Sequence, residues 1–186
     1  MKPLSILASH YDPSSDLYSV LLIHSVLVTR KARDIAAEHI ERHPDTSIDL
    51  DFLTEASLLH DIGIKFCLAP EIHCEGPEPY VRHGILGRAL LLKEGYPRHA
   101  LVCARHTGAG ITREEIREQR LPLPDEDLLP VSLEEKIICV ADKFYSKKPR
   151  KLWKEKSLKS IRKGLLEKGE RSLERWDALW SEILQA

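Results

Sequence analysis

His60 and Asp61 stand side by side after the apolar run Ala56-Ser57-Leu58-Leu59, which reads as the end of a buried helix. A carboxylate carried inward there is costly unless a partner or a metal takes its charge. Taken alone, the pair could be no more than a hydrogen-bonded couple. Four further residues with inward-facing helical surroundings widen the choice: His24, His83, His106 and Asp142. Imidazole and carboxylate together suit zinc, manganese, iron, cobalt or nickel better than calcium or magnesium. His24, His60, Asp61 and Asp142 are enough for one metal with positions left for water. His83 and His106, with Asp61 shared, are enough for a second. Two metals roughly 3.5–4 Å apart can share an activated hydroxide and hold both oxygens of a displacement. A lone inward histidine such as His24 is more often a satisfied core residue, so only the set of six points to metal.

The elements that must position these side chains all read as helices and loops. Steps of three and four through Leu17, Val20, Leu21, Leu27, Val28 and Ile35 predict an amphipathic helix to about His39, with His24 on its apolar face. Asp49 or Asp51 caps a second helix through Leu53, Ala56 and Leu59, and Gly63 is expected to end it. Pro70, Gly76, Pro77 and Pro79 make residues 66–79 a long loop. A third helix is expected over Tyr80–Glu94, where Gly84 and Gly87 would admit another backbone. A fourth runs from about His99 to His106 behind Pro97. Thr112-Arg113-Glu114-Glu115 and Ser132-Leu133-Glu134-Glu135 are capping boxes, and the second opens the helix that carries Asp142. His10, His39 and His43 lack such surroundings and are expected in solvent. No strand pattern and no internal repeat is visible.

At 186 residues with 42% hydrophobic and 31% charged side chains, the chain is expected to form one domain, 1–186, with a sizeable core. Its formal net charge of −1 names no partner. No apolar run reaches a membrane span, and the start from Met1 is too short and too soon polar for a secretory signal. Cys67, Cys74, Cys103 and Cys139 form no C-x-x-C, so they are expected as reduced thiols in the cytoplasm. A zinc site of Cys67, His73 and Cys74 is a weaker alternative. From Lys147 to Arg175 the chain holds 12 Lys and Arg against 4 Glu. The plain expectation is two helices packed on the body with solvated basic faces, and the alternative is a surface for a polyanion.

The ordered set resembles the HD-domain metal-dependent phosphohydrolase superfamily, in its HDIG-type branch. The matching residues are His24, then Leu59-His60-Asp61-Ile62-Gly63, then His83-Gly84-Ile85-Leu86-Gly87, then His106-Thr107-Gly108, then Leu133 through Ala141-Asp142. The resemblance covers about 17–146 and leaves the basic extension 147–186 outside. It implies an all-α helical bundle around a central metal site, with C-terminal helices added. His24, His60, Asp61 and Asp142 would hold the first metal, and His83 and His106 the second. It implies hydrolysis of a phosphoester or phosphoanhydride by a metal-bound hydroxide. The His-Thr-Gly segment with Leu-Glu-Glu-Lys-Ile-Ile and Ala-Asp is similar to bacterial HD-type hydrolases of diadenosine tetraphosphate, so a nucleotide or dinucleoside polyphosphate is the expected substrate. Members cleaving cyclic di-GMP have Lys directly after His-Asp-Ile-Gly, where this chain has Ile64 and then Lys65.

Asp61 and Lys65 are thus the expected catalytic residues. Lys65, Arg88, Arg105 and Lys143 are the expected phosphate contacts. Two alternatives share the ligand set. Some members of the superfamily hold two irons and oxidise carbon with dioxygen. A metal-stabilised module could instead bind RNA or a partner through the basic tail. A homo-oligomer is compatible with either.

Overall fold

The computed structural model describes residues 2–184. Met1, the first residue of the N-terminal run, and Gln185 and Ala186 of the extension lie outside the described residues. In chain order the helices are α1 (Pro3–His10), α2 (Asp16–Arg42), α3 (Leu50–Leu59), α4 (His83–Lys93), α5 (Pro97–Arg105), α6 (Arg113–Glu118), α7 (Leu133–Asp142), α8 (Leu158–Leu166) and α9 (Glu170–Leu184). The fold is all-α. Its one small sheet pairs β1 (Leu68–Ala69) with β2 (Cys74–Glu75), antiparallel, with Leu68 opposite Glu75 and Ala69 opposite Cys74. That hairpin lay in the stretch expected to be loop. It is two residues deep, too short for alternation to mark it. No helix among the described residues is long and apolar enough to cross a membrane.

The caps explain where the helices begin. Ser15 accepts from the Tyr18 N–H at the start of α2, and Asp49 rather than Asp51 accepts from Phe52 at the start of α3. Thr112 and Glu115 make a reciprocal capping box on α6. On α7 only half the box forms. Ser132 accepts from the Glu135 N–H, but the Glu135 carboxylate turns to the Val131 N–H and Arg105. α1 was not visible as a helix in the sequence. It is short and begins at Lys2-Pro3, and it is held by burial of Ile6 and Leu7 rather than by a side-chain cap.

α2 is the axis. Its Val28, Ala32, Ile35 and Ala36 join Leu53 and Ala56 of α3, Ile137 and Val140 of α7, and Trp176 and Ile183 of α9 in one core cluster. A second cluster joins Leu21 to Leu7, Leu59, Ile62, Leu91 and Cys103 from α1 and α3–α5. Burial on this scale, at about 25 cal/mol per Å² of apolar surface, is what fixes the helices to one another. His24 lies on α2 between the residues feeding the two clusters.

The basic extension packs on the body, as expected. α9 lies across α2 and α7, and Trp176 on it is 1% exposed. His39 corrects one expectation. It is buried, and its Nδ1–H donates to the Ile183 carbonyl at 2.7 Å, because the end of α9 folds back over α2. His43 packs against it, with ring centroids 4.6 Å apart and the planes tilted by 39°. No local pattern around residue 39 foretells a contact with residue 183.

Candidate metal centre

His60 and Asp61 stand where α3 ends in a tight turn. The Ile62 N–H donates to Leu59, and the Ile64 N–H donates to Asp61. The turn is fixed from outside by Tyr11 at the end of α1, whose hydroxyl donates to the Ile62 carbonyl at 2.7 Å and accepts from the Lys65 N–H. Gly63 follows the end of α3 at Leu59, with an ordinary φ of −85°. Its use is proximity. A Cβ there would lie 2.1 Å from the His83 carbonyl oxygen and 2.3 Å from the Gly87 nitrogen. Gly84 gives the matching approach of α4 to α5, its Cβ position lying 2.4 Å from the Cys103 oxygen. Glycine therefore brings His60-Asp61, His83 and His106 into one space.

All six expected ligands converge there, each no more than 7% exposed. Asp61 divides its oxygens between two groups. Its Oδ2 faces His24 Nε2 at 3.1 Å and His60 Nε2 at 2.9 Å. Its Oδ1 faces His83 Nε2 at 3.4 Å and His106 Nε2 at 3.3 Å. Asp142 Oδ1 closes the first group, 3.0 Å from His24 Nε2 and 3.5 Å from His60 Nε2.

The tautomers test whether a cation fits. His60, His83 and His106 donate Nδ1–H to the carbonyls of Ser57, Tyr80 and Cys103 at 2.6, 2.7 and 2.8 Å. A backbone carbonyl on one ring nitrogen leaves the other as a bare lone pair in the neutral ring. His83 and His106 are neutral. Burial pushes His83 down to about 3 and lowers His106 as well. Their Nε2 atoms face each other at 3.1 Å, two acceptors with no hydrogen for either. Asp61 Oδ1, which faces them both, is likewise buried without a hydrogen bond. Lone pairs converging on a shared point, with no donor between them, are what a divalent cation satisfies. The two groups {His24, His60, Asp61, Asp142} and {Asp61, His83, His106} each draw their donor atoms within 4.8 Å of one another. The buried His/Asp cluster thus suits divalent metal. Cys67 and Cys74 enter no such group among the described residues, and His73 is exposed. All four cysteines are buried thiols, with burial pushing Cys67 up to about 11.

One titration is coupled to metal uptake. Burial disfavours the His60 imidazolium, but Asp61 and Asp142 outweigh it and lift His60 to about 9. A metal needs the neutral ring, so proton and metal compete below that pH. Zinc added to chelator-stripped protein at pH 7 is expected to release about one proton from His60. Affinity should rise with pH and level off above about 9. Calorimetry in buffers of differing ionisation enthalpy reads this directly. Uptake heats independent of the buffer would rule it out.

The centre forms the floor of a cavity of about 770 Å³, where His83, His106 and Asp142 reach its surface. That volume is in the range of pockets that enclose small ligands. Of the expected phosphate contacts only Lys143 lines it, its Nζ bonded to Asp142 and 3.4 Å from the His106 carbonyl. The other three are engaged elsewhere. Lys65 turns away to the His10 carbonyl and the rings of Tyr11 and Phe66. Arg88 pairs with Glu126 at 2.7 Å, and Arg105 takes both oxygens of Glu135 at 3.0 and 3.2 Å. In each case a nearby carbonyl or carboxylate outcompetes the site. The sequence reading missed Lys147. Its Nζ is 2.6 Å from Asp61 Oδ2 and 3.9 Å from Asp142 Oδ1. Burial opposes its charge, but Asp61 holds the ammonium on, raising it above the ordinary lysine range. Its only sequence signal is a lysine five residues after Asp142, at the start of a basic run that gives no local sign of which side chain turns inward.

Comparison with known proteins agrees with this geometry. An uncharacterized protein of Methanocaldococcus jannaschii is 35% identical over 120 residues, 64% of this chain and 62% of that protein. The tRNA (cytidine(56)-2'-O)-methyltransferase of Picrophilus torridus is 32% identical over 130 residues, 65% of this chain and 34% of the enzyme. The enzyme of the same name from Thermoplasma volcanium is 31% identical over 102 residues, 54% of this chain and 26% of the enzyme. The chain spans less than two thirds of the length of each of these relatives. No solved structure matches it. The HD domain family matches residues 21–146, from the helix that carries His24 to just beyond Asp142, and the chain belongs to that family.

Proposed function

We propose that the chain is a metal-dependent phosphohydrolase acting on a phosphoester or phosphoanhydride of a nucleotide or dinucleoside polyphosphate. One observation carries this reading. Asp61 shares its two oxygens between two histidine groups just beneath a cavity lined by lysines, whose surface His83, His106 and Asp142 reach. His24, His60, Asp61 and Asp142 would hold one divalent ion, and Asp61, His83 and His106 a second. Bound there, such ions supply Lewis acidity and an activated water. The protein's own part is orientation and charge. The Ser57, Tyr80 and Cys103 carbonyls hold three imidazoles in one tautomer. Lys143 and Lys147 stand beside the acidic ligands, where their ammonium groups can meet phosphoryl oxygens and offset the charge that grows as the P–O bond breaks. Asp61 is the shared ligand in this reading, and Lys147 takes the part that the sequence suggested for Lys65.

The cationic wall favours a phosphorylated substrate over the di-iron oxygenase alternative, since oxidation of carbon needs no anion clamp. The names of the two methyltransferase relatives favour an RNA-binding module, but they describe proteins of which this chain matches 34% and 26%. The test is phosphate release from a panel of mono-, di- and polyphosphorylated nucleotides, after reconstitution with manganese, iron, cobalt, nickel or zinc. Release that follows metal occupancy is expected. Absence of release with every metal, or substrate-dependent oxygen uptake with mixed-valence iron, would overturn the reading.

A further inference from the structure

Six cationic side chains line the cavity above the metal centre: Lys143, Lys147, Lys148, Lys156, Lys168 and Arg175. Five of them lie beyond residue 146, where the family match stops. They fall into two sets. Lys143 and Lys147 pair with Asp142 and Asp61, and Arg175 pairs with Glu115 at 2.9 Å. Lys148, Lys156 and Lys168 have no carboxylate partner among the described residues. The segment that carries Lys156 is tied down, its N–H donating to the Phe144 carbonyl at 2.8 Å just after α7. Lys168 stands in the turn between α8 and α9, closed by Gly169 at φ 129°. The fold therefore brings three unneutralised ammonium groups to one concave wall. Burial first, and the charge of the neighbouring lysines with it, depresses both Lys156 and Lys168. Gathering like charges in this way is unfavourable until an anion joins them.

We propose that Lys148, Lys156 and Lys168 form a second phosphate subsite, holding a phosphate of the substrate other than the one cleaved, so that the substrate carries two or more linked phosphates. This rests on the hydrolase reading above. It goes beyond that reading in assigning the C-terminal extension, and not the family core, as what selects for phosphate-chain length. The cavity suits a short polyphosphate better than an RNA strand. Strand-binding surfaces interleave cations with several aromatic rings for successive bases, and this wall offers only Tyr80 and Tyr145 besides its histidines.

The test uses the full chain, metal-reconstituted, as wild type and as the Lys156→Gln/Lys168→Gln double variant. Metal content is measured before and after each titration. Inorganic tripolyphosphate should bind the wild type more tightly than orthophosphate. The double variant should lose about tenfold or more of the tripolyphosphate affinity and little of the orthophosphate affinity, as expected from losing one or two charge-assisted contacts. In turnover, KM for adenosine 5'-tetraphosphate should rise by a similar factor with kcat unchanged, while hydrolysis of p-nitrophenyl phosphate stays as in the wild type. Equal binding of the two anions, or a variant indistinguishable from the wild type, would overturn the subsite. So would a short RNA that binds more tightly than tripolyphosphate and is lost in the same variant. If no substrate is hydrolysed by the wild type, the hydrolase reading fails by itself, and the tripolyphosphate titration still decides the subsite.

Discussion

Asp61→Asn is expected to lower turnover by at least the roughly 10²–10³-fold that removal of one transition-state stabiliser costs, and to cut the metal content measured on the purified protein. The substitution keeps the shape of the side chain and removes its charge. Both donor groups lose their common carboxylate at once, because Oδ2 faces His24 and His60 while Oδ1 faces His83 and His106. An amide nitrogen in place of either oxygen presents hydrogens where a cation needs a lone pair. A second effect follows from Lys147, whose ammonium would lose the carboxylate 2.6 Å away in a space where its side chain is 13% exposed. Breaking one side of a buried ion pair costs about 3–5 kcal/mol, so the variant should also melt earlier. Adding Lys147→Met removes the orphaned charge. The double variant should recover much of the lost stability and none of the activity. Asp61→Asn protein with normal metal content and normal turnover would end the case for a shared carboxylate.

The parts of this molecule written in local pattern could be read from the sequence. The helix bearing His24, the Asp49 and Thr112 caps and the apolar face of α7 all follow from spacing within one or two turns, and they appear as expected. The six residues that converge at the buried cluster could be singled out because each is a polar residue beside or on an apolar helical face. What could not be read depends on distant packing. His39 is buried only because residue 183 returns to it. Lys65, Arg88 and Arg105 lie close to the motifs in sequence, yet each meets a partner outside the cavity. The basic tail looked like solvated surface because its charge is spread over both helices and their linkers. Which lysines face inward depends on tertiary ties without local trace, such as the pairing of Lys147 with Asp61 and the bond from the Lys156 N–H to the Phe144 carbonyl.

Gly63→Ala is expected to destabilise the protein by about 3 kcal/mol or more, at or above the upper end of ordinary overpacking, and to empty one metal position while sparing the other. At a φ of −85° alanine is conformationally acceptable at residue 63, and the smaller chain entropy of the unfolded state would by itself favour it by roughly 0.4–1 kcal/mol. Sterics reverse the sign. The new methyl would lie 2.1 Å from the His83 oxygen, 2.3 Å from the Gly87 nitrogen and 2.9 Å from the Gly87 Cα. These are backbone atoms of α4, which cannot rotate out of the way as a side chain can. α4 must move as a unit, and it carries His83 away from Asp61 Oδ1 and His106. His24, His60 and Asp142 are borne on α2, the α3 turn and α7, so the first donor group should survive. Elemental analysis should find fewer metal ions per chain, thermal unfolding should come earlier, and turnover should fall with the lost metal. Gly164→Ala is the control. It lies within α8 and its Cβ would meet nothing within 4 Å, so it should stabilise the chain by up to about 1 kcal/mol. A Gly63→Ala protein that melts with the wild type and keeps its full metal content would show that contact between the His60-Asp61 turn and α4 is not what holds His83 in place.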